Sequence, residues 1–337
     1  MLRLPSFTYL QPRTLRQALR MKEDAGPSGM YVAGGTDLYP NMKRRHQEPQ
    51  TVVALNGIRT LLKKPAAGRR GGRAEGQYVV AAGLTLTQIA EHRRLRKAYP
   101  EIARGAELIS TPLLRNMGTI GGNLCLDTRC NYYNQSYEWR KAIDFCMKKD
   151  GAICWVAPSS PRCWAVQSSD LAPVMVALDA ELLLIGPQGE RIVPAAQFYH
   201  NDGIEYLTKH PDEILTEIRL PMTNGSDATY WKLRRRGSFD FPVLGVSAWI
   251  RWDGERVAAA RIVLGAVGSY PQVIPEAADA VTGTRLDDEA IALAASAAFR
   301  PSKPMDNTDF GLAWRKEMTR TYVKGALNEL RDRRPRS

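Results

Sequence analysis

TPLLRNMGTIGGNL at residues 111–124 and SSDLAPVMVALDA at residues 168–180 bracket the stretch around which this chain is organised. All five cysteines lie between them: Cys125, Cys130, Cys146, Cys154 and Cys163. Glycines let a backbone approach a ligand closely, and clustered thiols suit a metal or redox group. The rest of the sequence has to be read for or against that pairing.

The first test is a second glycine-rich motif. Ala33–Gly34–Gly35–Thr36–Asp37–Leu38 follows an apolar run, MYV, that reads as a strand. Successive backbone N–H groups there can form an anion-binding concavity, to which Thr36 adds a hydroxyl. Taken alone, the motif reads first as an ordinary strand-to-helix turn. Thr119–Ile120–Gly121–Gly122–Asn123 repeats the same logic about eighty residues later. Two such loops in one domain can hold a dinucleotide pyrophosphate from two sides. Neither is a G-x-G-x-x-G fingerprint, and the sequence has no P-loop, so a Rossmann NAD site and a Walker ATPase are not indicated. No G-x-S-x-G or metal-protease helix points to hydrolysis.

The cysteines are spaced C-x4-C-x15-C-x7-C-x8-C, without a C-x2-C pair, and His46, His92, His200 and His210 all lie outside the segment. A zinc site usually shows closer pairs. An iron–sulfur cluster needs four thiolates, but these spacings match neither common ferredoxin pattern. Spacing therefore leaves a cluster, a zinc ion and unligated buried thiols all open. Trp139, Trp155 and Trp164 lie between the cysteines, either to exclude water or simply to pack the segment down.

The chain has 337 residues and a composition with 44% hydrophobic residues, enough for two or three domains with real cores. No apolar run is long enough to span a membrane, and the N-terminal residues lack the pattern of a secretory signal. The expected location is the cytoplasm, where cysteines do not usually form disulfides. The net charge of +12 comes from scattered groups, including Lys43–Arg44–Arg45, Lys63–Lys64, Arg69–Arg70, Arg93–Arg94, Arg234–Arg236 and a tail with Arg331, Arg333, Arg334 and Arg336. No nucleic-acid-binding module accompanies them. They read as a solvated surface first, then as a field for an acidic protein partner or a phosphate-bearing ligand.

Periodicity and turn residues predict the elements. Helices are expected at 14–24, after residue 36, after the strand at 77–81, at 95–109, from 171, at 287–300 and at 309–330. Strands are expected at 30–33, 51–57, 181–186, 213–221 and 228–236, with a return strand at 189–194. A hairpin is expected over 243–267 around Asp253–Gly254. Residues 63–76 read as a mobile polar loop and 221–227 as a linker. The irregular order of strands and helices favours an α+β fold over a doubly wound sheet.

With these motifs in hand, AGGTDL, GTIGGN, SDLAPVMVALDA and YWKLRRR resemble the FAD-binding subunits of the xanthine dehydrogenase (molybdenum hydroxylase) family. Without residues 124–167 the chain looks like an ordinary member almost end to end. The excised segment, LCLDTRCNYYNQSYEWRKAIDFCMKKDGAICWVAPSSPRCW, resembles the cluster-bearing loop of the 4-hydroxybenzoyl-CoA reductase branch. The resemblance implies a vanillyl-alcohol-oxidase/PCMH-type FAD-binding domain of two subdomains, 1–58 and 59–221, with 124–167 as a [4Fe–4S] insertion loop. A small α+β domain of the CO-dehydrogenase flavoprotein C-terminal type would follow at 228–331.

By the same resemblance, Ala33, Gly34, Gly35, Thr36, Asp37 and Leu38 would hold the FAD pyrophosphate, with Thr119, Gly121, Gly122 and Asn123 as the second FAD loop. Asp170 would bind the adenosine or ribityl side, Lys232 would lie near the isoalloxazine ring, and Ile109 and Leu215 would line it. Cys130, Cys146, Cys154 and Cys163 would ligate the cluster, leaving Cys125 as a small buried apolar residue. The implied role is electron transfer, with chemistry on a molybdenum subunit that removes the ring hydroxyl of 4-hydroxybenzoyl-CoA. Ferredoxin would deliver single electrons through [4Fe–4S] and FAD to a [2Fe–2S] subunit, in a complex that is a dimer of heterotrimers. Two alternatives remain: a FAD subunit of an oxidative molybdenum hydroxylase, which would lack the cysteine-bearing loop, and a zinc-stapled flavin-binding module.

Overall fold

A computed structural model describes residues 3–70, 73–223 and 225–334 of the chain. Arg336 of the basic tail, Gly71–Gly72 of the polar loop and Asn224 of the linker lie outside the described residues. The N-terminal part is built on a three-stranded parallel sheet. It runs β1 (Thr8–Leu10), α1 (Leu15–Ala25), β2 (Gly29–Val32), α2 (Leu38–Lys43) and β3 (Thr51–Ala54), in spatial order β1-β3-β2. Parallel neighbours need crossover connections, and α1 and α2 supply them. Thr14 caps α1 by accepting from the Gln17 N–H, and the helix packs Leu15, Ala18 and Leu19 against Val53, Ile58 and Leu61. On the other side, α2 sets Leu38 and Met42 against Val32, Val52 and Ala54.

The middle part contains a five-stranded antiparallel sheet. In chain order its elements are β4 (Ala66–Arg70), β5 (Arg73–Ala81), α3 (Leu86–Glu91), α4 (Arg93–Ala98), α5 (Pro100–Leu108), α6 (Pro112–Arg115), α7 (Ile120–Leu124), α8 (Tyr137–Ala142), α9 (Leu171–Ala177), β6 (Glu181–Gly186), β7 (Gly189–Pro194) and β8 (Ile214–Pro221). The sheet order is β4-β5-β8-β6-β7. Residues 63–76, expected as a loop, instead contribute β4 and the start of β5. Small and charged residues conceal a hairpin there, because pairing of Ala66 with Val79 and Ala67 with Tyr78 anchors it on a buried strand. The helix expected over 95–109 is divided at Tyr99, since Pro100 cannot continue the ladder and instead opens α5. Every residue of α9 is buried, which explains its continuous apolar run.

The C-terminal part comprises β9 (Ser226–Leu233), β10 (Leu244–Asp253), β11 (Arg256–Gly265), β12 (Gln272–Val273), α10 (Pro275–Asp279), α11 (Asp288–Phe299) and α12 (Leu312–Arg333), with antiparallel sheet order β12-β11-β10-β9. The β10–β11 turn falls on Gly254–Glu255, one residue beyond the expected pair, because Asp253 still pairs with Arg256 and Gly254 takes φ +54°. Both faces of this sheet are covered. Trp231, Leu233, Val246, Ala248 and Ile262 face α11 and α12, while Ala228, Tyr230 and Val263 join the core around α5 and α9. Period-two alternation thus produces two apolar sets on the same strands. The overall architecture is α+β, as expected from the irregular order of elements.

Arg315 of α12 is fully buried. Its guanidinium donates to the carbonyls of Val243 (3.1 Å), Ala266 (3.2 Å) and Met305 (2.8 Å), tying helix, sheet and loop together. Burial pushes its pKa down to about 10, still charged at neutral pH. Arg315→Met would remove this donor from the buried carbonyls of Val243 and Ala266, and we expect a loss of about 3–5 kcal/mol in unfolding free energy. A denaturant midpoint indistinguishable from wild type would contradict that role.

Candidate functional site

The two glycine loops meet face to face. Gly34 packs on the Met117–Gly118 backbone so closely that a Cβ would overlap the Met117 carbonyl, and Gly122 lies against Ala33. Gly35 takes φ +72°, which favours glycine. Among the described residues, the backbone N–H groups of Gly34, Gly35 and Thr36 donate to no other protein group. Successive N–H groups of this kind are what an anion cradle requires.

The second loop is wired differently. The Ile120 N–H donates to Leu84 O (2.9 Å), Gly121 N–H to Ala82 O (2.8 Å) and Gly122 N–H to Thr119 Oγ1 (3.0 Å). A Cβ on Gly121 would come 2.7 Å from that of Ala82. This loop therefore offers close approach rather than free donors. Asn123 is turned inward, where its Oδ1 accepts from Ser169 Oγ (2.7 Å) and the Leu171 N–H (3.3 Å). Those bonds close the neck of the cysteine segment and keep GTIGGN beside the start of α9.

Asp170 and Lys232, expected to touch the flavin, are brought together as a buried ion pair at 3.0 Å, with Tyr230 donating to the other carboxylate oxygen at 2.9 Å. Burial raises the Asp170 pKa and lowers that of Lys232, and each partner opposes the other's shift. Lys232 also donates to Leu108 O (3.0 Å), so the pair ties α5, α9 and β9 together. Ile109 is half-buried at the end of α5. Leu215 is buried in β8 within the main core.

The cysteine segment folds back onto the N-terminal sheet. Arg129 pairs with Asp37, while Arg140, fully buried, donates to the carbonyls of Arg44 and Arg45 at 3.2 Å each. Cys130, Cys146, Cys154 and Cys163 line one pocket with Tyr132, Tyr133, Lys148 and Trp155, and the cavity among them is small, about 10 Å³. Cys125 is absent from that lining and packs, half-buried, against the main core. Of the three tryptophans, only Trp155 lines the pocket; Trp139 is 40% exposed and Trp164 stacks under Arg162. Burial pushes the Cys130 thiol up to about 12 and Cys163 to about 11, and the neighbouring thiols add to both shifts. A bound metal reverses such a shift by holding the thiolate. Among the described residues no three His, Cys, Asp or Glu side chains stand close enough to share a single ion.

The sequence reading did not single out Lys148, Asp127, Arg129 or Tyr230. Lys148 is buried at the pocket and donates to Asp127 Oδ1 (2.9 Å), Thr128 Oγ1 (2.7 Å) and Gly203 O (2.5 Å). The available signal was a pair of opposite charges, Asp127 and Arg129, in the short run between Cys125 and Cys130.

Two expectations follow from this geometry. Gly34→Ala must push the loops apart, and we expect about 2–4 kcal/mol lower stability, read from denaturant unfolding. His46 stacks on Tyr133 with ring centroids 4.1 Å apart and is 3% exposed; burial first, then Arg140, lowers its pKa to about 4. The folded value lies below the ordinary one, so its stabilising effect is complete above about pH 6.5 and lost as pH falls towards 4. We expect the segment's hold on Arg44–His46 to weaken by roughly 2 kcal/mol over that window. Protection factors of residues 129–146, taken relative to the intrinsic exchange rate at each pH, should fall with acid in wild type and show no such window in His46→Gln.

Comparison with known proteins places this geometry. Residues 5–223 match the FAD binding domain in molybdopterin dehydrogenase, and residues 228–330 match the CO dehydrogenase flavoprotein C-terminal domain. The chain is 32% identical to the aldehyde oxidoreductase FAD-binding subunit PaoB of Escherichia coli, over 82% of this chain and 86% of that one. It is 27% identical to the carbon monoxide dehydrogenase medium chain of Hydrogenophaga pseudoflava, over 96% of each. Reconstituted CO dehydrogenase from Oligotropha carboxidovorans superposes with a TM-score of 0.78 and 26% identity, covering 98% of this chain and all of that one. No helix among the described residues is long and apolar enough to cross a membrane. The chain belongs to the FAD-binding subunits of the xanthine dehydrogenase/CO dehydrogenase family of molybdenum hydroxylases.

Proposed function

We propose that this chain is the electron-transfer subunit of a cytoplasmic molybdenum hydroxylase complex of the 4-hydroxybenzoyl-CoA reductase type, in which it binds both FAD and a [4Fe–4S] cluster. One observation carries the finer part of the reading: four of the five cysteines, far apart in sequence, line a single buried pocket. A four-iron cluster gives each thiolate its own iron. Its ligands would therefore surround a volume and need not converge on one ion, which is compatible with finding no single-ion site among the described residues. Lys148 supplies a buried positive charge at the pocket wall, suited to an anionic cluster.

FAD would lie along the line where the two loops meet. The unpaired N–H groups of Gly34, Gly35 and Thr36 would hold the pyrophosphate, and Gly121 and Gly122 would let it approach. Asp170 and Lys232 would act mainly on each other, holding the wall from α5 to β9 rigid behind the flavin. When bound, FAD supplies a centre that exchanges electrons singly or in pairs, and a cluster supplies one that exchanges them singly. The domain divisions 1–58, 59–221 and 228–331, with 124–167 as the cluster loop, belong to this reading. So do a molybdenum subunit, a [2Fe–2S] subunit, a dimer of such trimers and ferredoxin as donor.

A second reading has support of its own. Relatives are named as aldehyde oxidoreductase and carbon monoxide dehydrogenase subunits, which favours an oxidative hydroxylase in which this chain carries electrons away from the molybdenum subunit. Anaerobic purification with metal and flavin analysis separates the two. The first reading expects about four irons and one FAD per chain; FAD without iron leaves the oxidative reading, and zinc without iron leaves a zinc-stapled module. Cys146→Ser or Cys154→Ser should lose iron and ferredoxin-linked reduction while retaining most of the FAD. Unchanged electron entry from ferredoxin in those variants removes the cluster from the pathway.

A further inference from the structure

The cysteine segment reaches the flavin loop through one side chain. Arg129 precedes the pocket residue Cys130, and its backbone is fixed by two hydrogen bonds with Val166, at 2.8 and 2.7 Å. Arg129 is not among the residues lining the pocket, and its side chain is 9% exposed. It pairs with Asp37, donates to Asn41 Oδ1 at 3.3 Å and lies over the Phe241 ring at 4.7 Å. Asn41 Nδ2 in turn donates to Asp37 Oδ2 at 3.2 Å. The Asp37 side chain makes no capping bond to α2, so it is committed to these two partners.

Asp37 stands directly after Thr36, at the end of a loop whose unpaired N–H groups suit an anion. A carboxylate in that position is a liability, because a few ångströms from a pyrophosphate two like charges repel strongly at low effective dielectric. A guanidinium remains protonated in proteins, so Arg129 brings a full positive charge to Asp37. We infer that Arg129 is a positioning residue through which the cysteine segment neutralises Asp37 and makes the first glycine loop able to hold the FAD pyrophosphate. The segment is then part of the flavin site, not merely attached to it. The inference rests on the flavin reading of this loop and is independent of whether the pocket holds a cluster.

The test is FAD affinity of the full-length, flavin-stripped chain, followed by flavin fluorescence at several salt concentrations. Arg129→Gln should weaken FAD binding about tenfold or more at low salt, and the penalty should shrink as salt rises. The doubly neutral Arg129→Gln/Asp37→Asn chain should return to within about threefold of wild type. A merely structural role for Arg129 predicts neither the salt dependence nor the rescue. Wild-type affinity in Arg129→Gln, or a double variant as weak as the single one, overturns the inference. Should Arg129→Gln not fold, the double variant decides alone, and a loss of about tenfold or more in its affinity overturns the inference. Failure of the flavin reading itself has a different signature: the wild-type chain would bind no FAD.

Discussion

The arrangement depends on the side-chain oxygen of Asn123, which accepts from Ser169 Oγ and the Leu171 N–H. These bonds hold the two ends of a cysteine-bearing excursion side by side in the core. With its ends fixed, a long loop adds little further closure cost, since that cost grows only slowly with length. The glycine loop and α9 can therefore behave as one continuous wall while some forty residues fold outside it. Tyr199, donating to Leu124 O at 3.0 Å, and the Arg129–Val166 pair of bonds extend the same closure outward.

Buried charges do the remaining joining. Lys148 with Asp127 anchors the cysteine pocket, Asp170 with Lys232 and Tyr230 joins the C-terminal sheet to α9, and Arg129 with Asp37 returns the segment to the first loop. Desolvation makes such pairs poor sources of net stability, but it makes breaking them costly. Their value lies in geometry, because each pair is satisfied in one arrangement of two chain segments. Arg140 and Arg315 serve similarly through carbonyl acceptors, docking the segment on Arg44–Arg45 and α12 on its sheet.

The two glycine loops divide the work. The first keeps N–H groups without a partner among the described residues; the second uses its own to pack on Leu84 and Ala82 and contributes surface. Similar sequences thus take different parts because one ends an open strand edge and the other starts a helix wedged behind a sheet. The cysteine pocket shows the same economy, taking four thiols and leaving Cys125 to the core.

The sequence by itself determined the α+β character, most elements, both glycine loops and the grouping of cysteines, since these follow from periodicity, turn residues and composition within short windows. It misjudged residues 63–76 because a hairpin held by a partner strand needs no strong local signal. It read 95–109 as one helix, although Pro100 carried the sign of a break. Which side chains pair was decided only by tertiary structure. Asp170 meets Lys232 from 62 residues away and Asn41 meets Arg129 from 88. No window of sequence spans such contacts, and a buried charge is legible only once its burial and its partner are both known.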